Sequence, residues 1–191
     1  MTRMDAAIFL DKDGTLIDDV PDNVDPGRIK LAHRALEGVR LLTDHDYRLI
    51  VVTNQPGIAR GLFSEEDLRG VASHINKLLA EIEVQLSGFY YCPHLSDGDC
   101  TCRKPEPGLI LRAAEEHNLD LTRSWFIGDI LNDIEAGRRA GCRTILIDNG
   151  NETEWRSTPD RIPDYLARNL AEAAWLLISL EVRDECFAGL G

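Results

Sequence analysis

Four separate apolar runs in this chain stop abruptly at polar residues. Ala6 to Leu10 ends at Asp11, Arg48 to Val52 at Thr53, Trp125 to Ile127 at Gly128-Asp129, and Arg143 to Ile147 at Asp148. Each run is short and uninterrupted, the pattern of a strand buried on both faces. Between them lie stretches with helical spacing. Ala35, Leu36, Val39 and Leu42 share one face within Ala32 to Asp44. Leu68, Val71, Ala72, Ile75, Leu78, Leu79 and Ile82 form a stripe within Ser64 to Glu83, and Ser64 with Asp67 resembles a capping box at its start. Strand alternating with helix predicts an α/β chain of right-handed parallel βαβ units. In such a sheet the carboxyl ends of the strands share one edge, and ligands bind there.

The other segments fit this plan. Gly88 to Tyr91 reads as a strand. Helices are expected over Pro107 to His117, over Ile130 to Ala140 with Gly141 as its stop, and over Tyr165 to Leu180. Asp18 to Gly27, Cys92 to Pro105 and residues 151–164 read as loops. Trp125 and Trp175 are expected in the core, and Cys142 as a small core residue. At 191 residues the chain suits a single domain, 1–191. A net charge of −12 argues against nucleic acid or an anionic membrane surface as partner. The N-terminus has no signal-peptide pattern, and no apolar run is long enough to span a bilayer. A cytoplasmic monomer is expected.

An isolated Asp-x-Asp-Gly is more often a turn than a site. Here the three other strand ends change its meaning. Asp11, Asp13 and Asp129 on one sheet edge would repel one another unless a cation sat among them. An all-oxygen donor set points to a hard ion, most simply Mg²⁺. Mg²⁺ suits phosphate chemistry because it neutralises phosphoryl oxygens. Thr53 and Asn54 add a hydroxyl, an amide and backbone N–H groups, and Lys104 adds a cation. One carboxylate could act as nucleophile and its neighbour as proton donor and acceptor. Asp133, one helical turn beyond Asp129, either orients Lys104 or a metal-bound water, or is simply an acid at a helix N-terminus.

The cysteine loop carries a second set. Of five cysteines, Cys92, Cys100 and Cys102 lie with His94 in eleven residues. An odd count without an export signal disfavours disulfides. Cys92, His94, Cys100 and Cys102 (zinc loop 92–104) make a closed tetrahedral Zn²⁺ complement, the mark of a structural ion. Such an ion would fix the direction of Arg103 and Lys104.

Asp11-Lys12-Asp13-Gly14-Thr15, Thr53-Asn54, Lys104 and Gly128-Asp129-x-x-x-Asp133 resemble, in order, the four motifs of the haloacid dehalogenase superfamily of phosphatases. The resemblance implies a Rossmann-like three-layer sandwich with a mostly parallel central sheet. It makes Asp11 the nucleophile and Asp13 the general acid/base, with Thr53 and Lys104 on the transferring phosphoryl group. Mg²⁺ would be held by the Asp11 carboxylate, the Asp13 backbone carbonyl and Asp129. The cysteine loop, with Thr53-Asn54-Gln55-x-Gly57-Ile58-Ala59-Arg60-Gly61 and Cys102-Arg103-Lys104-Pro105-x-Pro107-Gly108, is similar to the zinc-loop branch, which has a minimal cap. That branch holds the heptose 1,7-bisphosphate 7-phosphatases and the histidinol-phosphate phosphatases. The implied partner is a small phosphorylated metabolite, first the 7-phosphate of the heptose bisphosphate, alternatively histidinol phosphate or another small sugar phosphate. Asn54 and Arg103 would contact it, Arg103 through a second phosphate. A non-catalytic zinc-stabilised binding module is the reading from another class. Two departures bear on the substrate. Heptose phosphatases often carry Lys after the fourth-motif Asp, where this chain has Ile130, and the Asp18 to Asp25 loop is unusually acidic.

Overall fold

Burial on both faces explains the uninterrupted apolar runs. In the computed structural model, which describes residues 4–156 and 158–188, six strands form one sheet in the order β3-β2-β1-β4-β5-β6. They are β1 (Ala7–Leu10), β2 (Arg48–Asn54), β3 (Gly88–Cys92), β4 (Trp125–Gly128), β5 (Arg143–Ile147) and β6 (Tyr165–Ala167). Every neighbouring pair is parallel. The helices are α1 (Ala35–Thr43), α2 (Glu65–Ala80), α3 (Gly108–His117), α4 (Leu131–Ala140) and α5 (Leu170–Ala188).

Alternate strand residues feed two cores. Ile8, Leu10, Leu49, Val51, Trp125, Ile127, Ile145 and Ile147 pack under α1, α2 and α5. Ala7, Phe9, Ile50, Val52 and Phe126 pack under α3 and α4. This is the expected sandwich of helix, sheet and helix. The Ser64–Asp67 capping box forms at the start of α2, each residue bonding the other's backbone N–H. Gly141 ends α4 with φ +92°. No helix among the described residues is long and apolar enough to cross a membrane.

The C-terminal third departs from the sequence expectation. Tyr165 to Leu180 is not one helix. Its first three residues form the edge strand β6, and α5 starts after Arg168-Asn169, where the Asn169 side chain accepts the Glu172 N–H. A three-residue edge strand whose middle Leu166 is exposed has no periodicity to separate it from an apolar helix. Trp175 is also not core: it is 53% exposed, whereas Leu170, Ala171, Ala173, Ala174, Leu177 and Ile178 are buried. Those buried positions follow the helical stripe, and Trp175 falls outside it. Trp125 and Cys142 are buried as expected. The side chain of Cys186 lies outside the described residues, as do Met1 to Arg3 and Leu190.

Helices α1 and α5 approach closely at Gly38, where an added Cβ would stand 2.7 Å from the Leu170 backbone. Gly38→Ala should therefore destabilise by about 1–3 kcal/mol through overpacking. The thermal midpoint should fall by roughly 2–4 °C per kcal/mol. An unchanged midpoint would mean that the two helices part at no cost.

Candidate active site

The register of the sheet sets the site. Leu10 lies level with Val51 on one side and Ile127 on the other, and the Asp11 N–H donates to the Ile127 carbonyl. Asp11, Thr53 and Asp129 therefore leave three adjacent strands at one level. Asp11, Asp13, Thr53, Asn54, Lys104 and Asp129 line one open cavity of about 200 Å³, together with Asp19, Ile130 and Asn151.

Lys104 reaches the centre from the cysteine loop. It is 3% exposed. Its Nζ pairs with Asp11, lies 2.7 Å from Asp133 Oδ1 and donates to the Val52 carbonyl at 2.9 Å. Burial disfavours its charged form, but Asp11 and Asp133 outweigh this and hold the ammonium well above its usual range. Asp133 also accepts the Ile130 N–H at the start of α4. Both sequence readings of Asp133 thus hold in part: it fixes Lys104 and it caps a helix.

Asp13 is held at both oxygens, by Lys12 Nζ at 2.7 Å and Gln55 Nε2 at 3.1 Å. Burial raises its carboxyl above the ordinary range, while Lys12 opposes this and Asp11 adds to it. The same Gln55 amide donates to the Thr53 hydroxyl. On the other side, Asn151 donates to Asp129 Oδ2 at 2.7 Å and Thr15 to Oδ1 at 3.4 Å. Asn149 ties its loop down by donating to the Gly14 carbonyl. Gly14 is required here: φ is +79°, and a Cβ would stand 2.0 Å from Asp129 Oδ2. Lys12, Gln55 and Asn151 were not among the residues expected in the site. Lys12 and Gln55 sit inside the motifs and had a readable position; Asn151 comes from a loop with no pattern.

Two expected residues are placed differently. Asn54 lines the cavity, yet both ends of its amide are engaged by the Lys104 main chain. Arg103 stays on the cysteine loop, where it donates to the His94 carbonyl at 3.2 Å, and it does not line this cavity. Of the four aspartates in the acidic loop, Asp25 caps a short turn, Asp22 lies 4.0 Å from Arg60, Asp18 faces a neighbouring hollow, and Asp19 faces the site.

Two groups of possible metal donors lie together among the described residues: the four of the cysteine loop, and Asp11 and Asp129 with Asp133 rather than with the expected Asp13. Asp11, Asp129 and Asp133 each offer an oxygen within 4.8 Å of the others. Lys104 pairs with both Asp11 and Asp133, and of the three carboxylates Asp11 and Asp129 are the two that line the cavity. Burial, then Asp11 and Asp133, push the Asp129 carboxyl up to about 7. In the loop, Cys92 Sγ lies 3.7 Å from Cys100 Sγ and 3.2 Å from Cys102 Sγ. His94 Nδ1 lies 3.4 and 3.3 Å from Cys92 and Cys102. Four donors around one Zn²⁺ stand roughly 3.5–3.8 Å apart, given Zn–S of about 2.3 Å and Zn–N of about 2.0–2.1 Å. The cluster fits such an ion, and the buried Cys92 thiol, pushed up to about 12, needs a cation to ionise.

Comparison with known proteins accords with this geometry. The family model described as HAD-hydrolase-like matches residues 101–173. A D-glycero-beta-D-manno-heptose-1,7-bisphosphate 7-phosphatase of Haemophilus influenzae is 36% identical over 93% of this chain and 100% of its own length. The chain belongs to the heptose-bisphosphate phosphatase family of haloacid dehalogenase-like hydrolases. A protein of the same name from Pasteurella multocida is 39% identical over 77% of this chain and 84% of its own. The crystal structure of D,D-heptose 1,7-bisphosphate phosphatase from B. bronchiseptica, complexed with magnesium and phosphate, superposes with a TM-score of 0.78. It is 29% identical and covers 91% of this chain and 98% of its own. As a family member, the chain is a phosphoric monoester hydrolase.

The Asp129 environment gives a pH signature with an unusual sign. Unfolded, this carboxyl releases its proton near 3.8; folded and metal-free, it keeps it to about 7. Folding takes up a proton between those values, so this contribution to stability is lost as pH rises through them. In magnesium-free buffer the thermal midpoint of the wild type, relative to Asp129→Asn, should fall between about pH 4 and pH 7. A pH-independent difference would refute the reading.

Proposed function

We propose that this protein removes the 7-phosphate of D-glycero-D-manno-heptose 1,7-bisphosphate through an aspartyl-phosphate. The observation that carries the chemistry is the buried pairing of Lys104 with Asp11, next to Asp13 and Asp129. The names of the relatives support the substrate. In this reading Asp11 attacks phosphorus and the ester P–O bond breaks. The leaving oxygen takes the proton of Asp13. Water then attacks the aspartyl-phosphate while Asp13 accepts its proton, and inorganic phosphate leaves with Asp11 regenerated. Thr53 and Lys104 hold the phosphoryl oxygens.

Asp11, the Asp13 carbonyl and Asp129 would hold Mg²⁺, and a relative from B. bronchiseptica that is complexed with magnesium and phosphate supports that choice of ion. Bound there, the ion neutralises phosphoryl oxygens that the surrounding carboxylates would otherwise repel. Gln55 and Lys12 keep the Asp13 carboxyl aimed, and Asn151 and Thr15 orient Asp129. Cys92, His94, Cys100 and Cys102 would hold a structural Zn²⁺ that braces the loop carrying Arg103 and Lys104. The relatives' names specify the β anomer, and the proposal adopts it.

Asp11→Asn should leave the fold intact and remove turnover by at least about three orders of magnitude, as loss of a nucleophile does. Persisting turnover would overturn the mechanism. A panel of phosphorylated metabolites, assayed for phosphate release with Mg²⁺, should rank the heptose bisphosphate above histidinol phosphate by kcat/KM. The opposite order would replace the substrate. Stripping the thiol-bound metal, or Cys102→Ser, should lower both the thermal midpoint and kcat; chelation that changes neither would remove zinc from the account.

A further inference from the structure

The residue after Thr53 does something other than touch substrate. The strand register sets Asn54 level with Cys92, and the Gln55 N–H donates to the Cys92 carbonyl at 2.7 Å. The cysteine loop thus leaves the sheet beside Asn54. After Cys102 and Arg103 it comes back to the same place. There the Asn54 Oδ1 accepts the Lys104 N–H and its Nδ2 donates to the Lys104 carbonyl, both at 3.0 Å. One amide therefore bonds both main-chain groups of a single residue, and neither end has its principal partner elsewhere. The far end of the same lysine is held by the same strand: Nζ donates to the carbonyl of Val52, two residues before Asn54.

We infer that Asn54 is a positioning residue for Lys104, clamping the root of the cysteine loop to the end of β2 and thereby setting where the lysine ammonium meets Asp11. The inference rests on the reading of Lys104 and Asp11 as the phosphoryl site. A bound metal fixes the four loop ligands to one another, but it does not fix the loop to the sheet. Cys92 ties one end through β3, and Asn54 ties the other. The neighbouring backbone bonds, Glu106 N–H to the Arg103 carbonyl and Gly108 N–H to the Thr101 carbonyl, tie the loop to itself and to α3 and not to β2. Without the clamp, therefore, the Lys104 main chain loses its bonds to the sheet and its ammonium loses register with the carboxylates. A displacement of about 1 Å in a reacting constellation costs up to about a hundredfold in rate.

The test separates a positioning residue from a substrate contact by using two substrates. p-Nitrophenyl phosphate has a phosphoryl group and no sugar. Its hydrolysis by the wild type, abolished in Asp11→Asn, checks the underlying reading independently of Asn54. Asn54→Ala removes both bonds. Asn54→Asp keeps the acceptor for the Lys104 N–H but sets a carboxylate oxygen against its carbonyl. Both variants should lose between about tenfold and a hundredfold in kcat on p-nitrophenyl phosphate and on the heptose bisphosphate alike, with KM for the bisphosphate within about threefold of wild type. A kcat on p-nitrophenyl phosphate near wild type, with KM for the bisphosphate raised more than tenfold, would make Asn54 a sugar contact and overturn the inference. A double-mutant cycle gives the second arm. In a Lys104→Met background, Asn54→Ala should cost less than about threefold further, because it acts through the lysine. Additive losses would show that it does not.

Discussion

A lysine ammonium taken out of water is the constraint around which this structure is built. The desolvation cost of one buried charge is several kcal/mol even after relaxation, and it is recovered only where geometry and hydrogen bonding are good. Lys104 meets those terms with contributions from four parts of the chain. Asp11 comes from the end of β1, the Val52 carbonyl from β2, Asp133 from the first turn of α4, and the lysine itself from the cysteine loop. Removing the lysine would leave two buried carboxylates without their cation, whereas removing one carboxylate leaves Lys104 paired with the other. The site is therefore also a structural joint, and its geometry is enforced by the cost of every alternative arrangement.

The same joint explains why the carboxylates tolerate each other. Asp11, Asp129 and Asp133 lie close together in a buried setting. Lys104 satisfies Asp133 and half of Asp11. Asp129 receives only neutral donors, from Asn151 and Thr15, and burial and its acidic neighbours push its carboxyl toward protonation. The imbalance is local and directional. It leaves one face of the cluster short of positive charge, the face bounded by Asp11 and Asp129 at the cavity. A hard cation would relieve that deficit beside Asp11, the carboxylate proposed as nucleophile.

Much of this was legible in the sequence because it depends on local signals. Apolar runs that stop at Asp11, Thr53 and Asp129 mark strand ends, and a parallel sheet brings strand ends together whatever the intervening lengths. The thiols and imidazole from Cys92 to Cys102 announce their cluster by donor type. What stayed hidden depends on side-chain direction or on weak periodicity. Asn54 sits in a motif beside the site, and nothing in its identity shows that its amide turns back onto a main chain fifty residues away. Asn151 lies in a polar loop without pattern, yet reaches Asp129. Strand β6 is three residues of an apolar stretch that continues into α5, and a sheet edge with an exposed Leu166 imposes no alternation. Trp175 read as core by residue type alone, whereas the stripe that α5 buries is made by Leu170, Ala174, Leu177 and their neighbours.

The acidity of the chain, which looks unsuited to a phosphorylated substrate, is resolved at short range. At physiological ionic strength, exposed charges farther than about 8 Å are largely screened. The net charge of −12 is therefore a poor guide to what an approaching phosphate meets. What it meets is a handful of groups. Of the acidic loop, Asp25 is spent on a turn and Asp22 on Arg60, so Asp19 alone of these three faces the cavity. Lys12 and Lys104 are both buried and both already paired with carboxylates, Asp13 and Asp11. Neither is a free attractor. Asp11, Asp13, Asp19 and Asp129 line the cavity and Lys104 is the one cation among them, so the protein side is net acidic, and a cation held by Asp11 and Asp129 would supply positive charge to a phosphate dianion.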